Sequence, residues 1–282
     1  MVPRSRPASS ASCVLRGAQA HLRRVAGEAC GENRSDHMSA RASQDQRSRI
    51  DQRVIGPKAA TRIWGNGGYR MFLSHKAEAK KKATELKARL ELFGIACFVA
   101  HKDIHPTKEW QDEIENALVS MDAFVALMTK KFHDSLWTDQ EVGFALSRRV
   151  PIIAVKLGTD PYGFIGKFQA LSCQWNAAPT ELARLLIKHS RMLDAYISAL
   201  KRCSNFDEGN TLSKVLPGID SLTSDQVQRM VSAFNENNQL GGSFGFNGSK
   251  PHLYGDGLAA HLSRVTGRKY KMTSSGTIRG AP

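Results

Sequence analysis

The chain has 282 residues, 41% of them hydrophobic, enough to bury a core in at least one domain. Its net charge of +14 is unevenly spread: residues 1–68 hold 12 bases and 5 acids, 69–176 hold 15 and 13, and 177–282 hold 13 and 8. A centre at +2 excludes reading the whole molecule as a nucleic-acid binder, and five scattered cysteines without a C-x-x-C pair exclude a disulfide framework or a zinc site.

No apolar run approaches the roughly 18 residues of a membrane span, so a cytoplasmic protein with reduced thiols is expected. Residues 1–68 read as a basic, disordered leader. Arg4, Arg6, Arg16, Arg23 and Arg24 precede the first acid, Glu28. That composition suits a transit peptide, and equally a leader without targeting or a start assigned upstream of Met38.

From Tyr69 the texture becomes an alternation of short apolar runs and amphipathic stretches, the pattern of a parallel sheet with crossover helices. Tyr69–Ser74 is the first strand. Ala83, Leu86, Leu90 and Phe93 recur at helical spacing until Gly94 ends the helix, and Ile95–Val99 is the second strand. A polar loop, Ala100–Lys108, leads into a helix with Trp110, Ile114, Ala117 and Leu118 on one face. Ala123–Met128 is wholly apolar, as buried parallel strands are. Phe132–Trp137 is a connector, Thr138 caps a helix running to about Ser147, Pro151–Val155 is the fourth strand, and Leu171–Trp175 a short fifth. The expected fold class is α/β: a flavodoxin-like, five-stranded parallel sheet over residues 69–176, with a ligand rim at the carboxyl ends of the strands.

Four fragments in order, Phe72-Leu-Ser-His75, Asp103-Ile-His-Pro106 followed by Trp110, Phe132-His-Asp-Ser135-Leu-Trp137-Thr-Asp-Gln-Glu141, and Asp160-Pro-Tyr-Gly-Phe-Ile165, together resemble Toll/interleukin-1-receptor (TIR) domains, especially bacterial ones. The resemblance implies NAD glycohydrolase activity, found in many TIR domains, with the glutamate of a W-x-x-x-E motif as catalytic residue. Here the motif is Trp137 and Glu141. Carried over by position, Ser135 and Trp137 help form the ribose and nicotinamide pocket, and Ser74, His75 and Lys76 meet the dinucleotide. NAD is then a substrate and no cofactor is implied. The resemblance also implies self-association through TIR domains, with other TIR or effector proteins as further partners, in bacterial defence or signalling. Adaptor members of the family work by assembly alone, through the loop Lys102–Lys108. Two departures stand out: Lys76-Ala77 where plant members have Arg-Gly, and Thr107 where a glycine is common.

His101 and His105 lie in a loop with Pro106 and complete no metal site. Beyond Trp175, a stripe from Thr180 through Leu200 closes the domain, so that residues 177–215 read as a helical extension and linker. Residues 216–282 read as a small helical module, with helices at Val227–Phe234 and Leu258–Val265. Gly241–Gly248 lacks the ending of a P-loop and reads as a mobile loop. At +5 the tail shows no DNA-reading pattern, so nucleic acid is not an expected partner.

Overall fold

The computed structural model describes residues 55–65, 68–99 and 108–280, all within the compact unit Arg53–Pro282. Four parallel strands, β1 (Tyr69–Ser74), β2 (Ile95–Val99), β3 (Ala123–Met128) and β4 (Ile152–Lys156), lie in the order β2-β1-β3-β4. Every residue of β3 is buried, which explains its unbroken apolar run at the centre of the sheet. Pro151 has no N–H to offer a ladder, so it stands just outside β4, its carbonyl accepting from Phe124 N at 2.9 Å. The expected fifth strand shrinks to one parallel bridge between Val155 and Leu171. Leu171 N and O pair with Ala154 and Lys156, after which Trp175 already turns into a 3-10 helix.

Strand alternation sends each neighbouring side chain to the opposite face. Phe72, Phe124, Ala126 and Met128 meet α1 (Pro57–Trp64), α3 (Lys108–Ser120) and α4 (Leu136–Ser147). Met71, Leu73, Val125 and Leu127 meet α2 (Lys80–Leu90), α5 (Ala178–Leu186) and α6 (Ser190–Leu200). Helix α1 corrects the expectation of a leader as far as residue 68. Pro57 starts it, and Trp64 is buried with its indole N–H donating to Ser120 Oγ at 2.9 Å. Gly94 ends the turn after α2 as expected, at φ 79°, where a Cβ would stand 2.4 Å from the Ala195 carbonyl oxygen.

The tail extends the second of these cores. The stripe read as one helix is two, α5 and α6, broken at residues 187–189. Tyr196 of α6 is fully buried and donates to the Leu212 carbonyl at 2.8 Å, joining α7 (Phe206–Ser213). Helix α8 (Ser224–Glu236) opens with a capping box between Thr223 and Gln226. The glycine-rich stretch is not a loop: it forms α9 (Asn238–Gly242) and α10 (Phe244–Asn247), with Ser243 and Phe246 buried. Gly245 packs so closely on α7 that a Cβ there would lie 2.6 Å from Ser213 Cβ. After α11 (Pro251–Tyr254) and α12 (Gly257–Thr266), the chain adds an antiparallel hairpin, β5 (Tyr270–Met272) and β6 (Ile278–Gly280), so the module is not wholly helical. Asn235 of α8 clamps β6, accepting from Ile278 N at 2.7 Å and donating to its carbonyl at 3.1 Å. Among the described residues no helix is long and apolar enough to cross a membrane.

Candidate active site

Ser74 is the last residue of β1 and so reaches the carboxyl rim of the sheet, next to Ala126 of β3. Helix α4 begins beside that rim after a 3-10 turn, Phe132–Asp134, anchored by the fully buried Phe132. Ser135, not Thr138, is the N-cap residue. The Thr138 hydroxyl lies 2.7 and 2.8 Å from the carbonyls of Ser135 and Phe132, tying the first turn of the helix to the turn before it.

Trp137 and Glu141, four apart on α4, share one side of the helix at different depths. Trp137 is 40% exposed and meets Trp110 edge to face, with centroids 6.0 Å apart. Glu141 is 2% exposed, and Ser74 Oγ donates to its Oε2 at 2.5 Å. That length lies at the short end of the range for O–H···O hydrogen bonds. Both partners are buried, so the bond is shielded from competing water.

The remaining residues expected at the site divide in two. His75 turns inward: it is 3% exposed and its Nδ1 donates to the Leu73 carbonyl at 3.0 Å. Lys76 faces the rim, its ammonium 3.6 Å from Asp134, whose other oxygen is 3.0 Å from His133 Nε2. Ser135 is half-buried, and its side chain caps no backbone N–H. The loop 100–107, with His101, His105, Pro106 and Thr107, lies outside the described residues.

Two residues given no role from sequence join this rim. Tyr162, after β4, donates to Asp139 of α4 at 2.5 Å and packs edge to face on His133 at 5.9 Å. Burial, and then the bond to Asp139, push the Tyr162 phenol above its ordinary pKa range. Tyr162 belongs to the fourth quoted fragment, but nothing in that fragment names Asp139 as its partner. A cavity of about 750 Å³, lined by Trp64, Gly68, Gly94, Arg191 and Arg202 among others, opens at the opposite, amino-terminal end of β1 and β2, away from Glu141.

Residues 71–186 match the family model of the TIR domain. A solved structure, the TIR domain of the Toll-related receptor TRR-2 from the lower metazoan Hydra magnipapillata, is 20% identical, covering 43% of this chain and 97% of that one, with a TM-score of 0.36. No curated protein matches the chain. Residues 71–186 of this chain are a TIR domain.

Proposed function

We propose that the TIR domain hydrolyses NAD at the bond between nicotinamide and ribose, with Glu141 as catalytic residue. The observation that carries this reading is the buried carboxylate of Glu141, fixed by Ser74 at 2.5 Å on the carboxyl rim of the sheet, about one helical turn from the half-exposed Trp137. Nicotinamide in NAD is cationic, so it departs neutral with the bonding electrons and needs no proton donor. Charge develops on the ribose as an oxocarbenium-like centre, and a preorganised carboxylate stabilises it. Water then adds at the anomeric carbon and loses a proton, giving ADP-ribose; capture by a nitrogen of the adenine gives a cyclic isomer instead. Trp137 and Ser135 border the nicotinamide ribose, and Lys76 offers a point charge to the dinucleotide phosphates in competition with Asp134. In this reading His75 supports the strand end from within, and Ser74 acts through Glu141.

Chromatography with mass detection, on the full chain incubated with NAD at high protein concentration, tests the proposal. Nicotinamide release by wild type and none by Glu141→Gln supports it. No release by either, under conditions where the protein self-associates, refutes it.

A second reading, a TIR scaffold that works by assembly with further copies or with other TIR or effector proteins, draws on exposed apolar side chains. Leu136 is 79% exposed and Phe164 83%. If Glu141→Gln keeps full biological function while Leu136→Asp with Phe164→Asp loses it, assembly is the function and hydrolysis is not. Both readings place the protein in bacterial defence or signalling.

A further inference from the structure

The excess charge of the tail is concentrated at its end. Residues 177–256 carry eight bases and eight acids, whereas 257–282 carry Arg264, Arg268, Lys269, Lys271 and Arg279 and no acid. Four of the eight acids in that balanced stretch pair with its own bases: Glu181 with Arg184, Asp220 with Lys188, and Asp194 and Asp225 with Arg229. Among the described residues, no ion pair joins Arg268, Lys269, Lys271 or Arg279 to any acid, and all four side chains are exposed.

Strand pairing then orients them. In the hairpin Lys271 stands directly opposite Arg279, so both project from one face. The other face carries Ile278, 1% exposed, and Tyr270, which packs against the core. The cationic face is therefore the one turned to solvent. Like charges directly opposite in a ladder destabilise the folded hairpin, and an anion bound across both relieves that repulsion. Beside the ribbon is a cavity of about 490 Å³ whose walls include Tyr270, Arg268, Ser224, Gln228 and Gly280. It offers an aromatic ring, a guanidinium and an amide on the side of the hairpin that Tyr270 and Gly280 face, around the ribbon's end from Lys271 and Arg279.

We infer that this hairpin and the end of α12 form a binding surface for single-stranded nucleic acid. Phosphates lie along Arg268, Lys269, Lys271 and Arg279, and an unpaired base enters the neighbouring cavity. A chain of phosphates matches a row of cations, and an aromatic wall around the end of the basic track, past Arg268, suits a flexible strand whose bases are free of a duplex. An anionic lipid surface would meet the cations but has no group to place in the cavity. Spread over 106 residues, the tail's +5 is weak; the fold brings Lys271 and Arg279 together on the hairpin, with Arg268 and Lys269 on the segment leading into it. This inference is independent of the NAD reading.

Fluorescence anisotropy of the full chain with a labelled, short, single-stranded oligonucleotide of mixed sequence tests it. Binding is expected, and it falls roughly 50-fold from ~50 to ~200 mM salt if four phosphates are neutralised. Lys271→Glu with Arg279→Glu weakens binding at least about tenfold. Lys271→Glu alone supplies an opposite charge across the ladder, so it weakens binding while leaving the melting temperature unchanged or higher. The inference is overturned if the oligonucleotide does not bind, if its duplex binds more tightly, or if only phosphatidylserine vesicles bind. Binding that is indifferent to both substitutions also overturns it, because the basic residues 1–68 would then be the source.

Discussion

Ser74 and Glu141 stand 67 residues apart in the chain, yet the hydroxyl of one donates to the carboxylate of the other at 2.5 Å inside the protein. The pairing joins the end of the innermost strand pair to the second turn of a crossover helix. It holds the carboxyl group of Glu141 at one point on the rim, which suits a group that must face a developing cation without moving.

Glu141→Gln keeps an oxygen to accept from Ser74 and removes the charge. Nicotinamide release is expected to fall by at least about 10²- to 10³-fold, with a melting temperature close to wild type. Glu141→Ala removes the acceptor as well and leaves the buried Ser74 hydroxyl without this partner, costing about 1–3 kcal/mol in a urea titration.

Ser74→Ala withdraws a donor and frees the carboxylate to shift. A misplacement on the order of 1 Å can cost about 10²-fold, so kcat is expected to drop roughly 10- to 100-fold while KM changes little. A rise in KM with kcat intact would instead place Ser74 against the dinucleotide. Ser74→Cys, nearly isosteric with a weaker donor, should fall between the two.

Acid should destabilise the tail through His261. This ring is 3% exposed, accepts from Arg264 at Nδ1 at 2.9 Å, and has its Nε2 buried without a partner. Burial, with Arg264 beside it, lowers its pKa from 6.5 to about 4. The unfolded chain therefore binds the proton more readily, and stability is full above pH 6.5 and lost as pH falls toward about 4. Across that window the loss is on the order of 2–3 kcal/mol. Urea unfolding against pH should show it in wild type, and His261→Gln should flatten that slope.

Gly245→Ala places a methyl group against Ser213 in a buried seam. Overpacking of this kind costs about 1–3 kcal/mol, so thermal unfolding should shift down by several degrees. Unchanged stability would mean that α10 moves freely against α7.

Much of the sheet was legible because its strands are short apolar runs at crossover spacing. That Trp137 and Glu141 share one side of a helix was legible because the motif is local, with four residues of spacing setting one helix face. The bond from Ser74 to Glu141 was not legible, since no local pattern says that a strand-end hydroxyl turns inward to a helix far along the chain. Tyr162 and Asp139 meet for the same tertiary reason. The hairpin escaped because Tyr270-Lys-Met272 and Ile278-Arg-Gly280 are three residues each, too short to show alternation. Helix α1 lay hidden in a basic stretch, where only Trp64 and the preceding Pro57 mark it. Leu171–Trp175 has one apolar residue at each end around Ser172, Cys173 and Gln174, too polar for a buried strand, and it contributes one bridge.

The close approach of Gly94 to Ala195 has a practical corollary for anyone cutting this protein into pieces. The match to the TIR family ends at residue 186, but the helix that seals the turn before β2 begins at Ser190 and buries Met192, Tyr196 and Leu200 against material from both sides. A fragment stopped at the family boundary would expose that apolar seam to water. It would be expected to aggregate, and an absence of enzyme activity in such a fragment would report on solubility and not on Glu141.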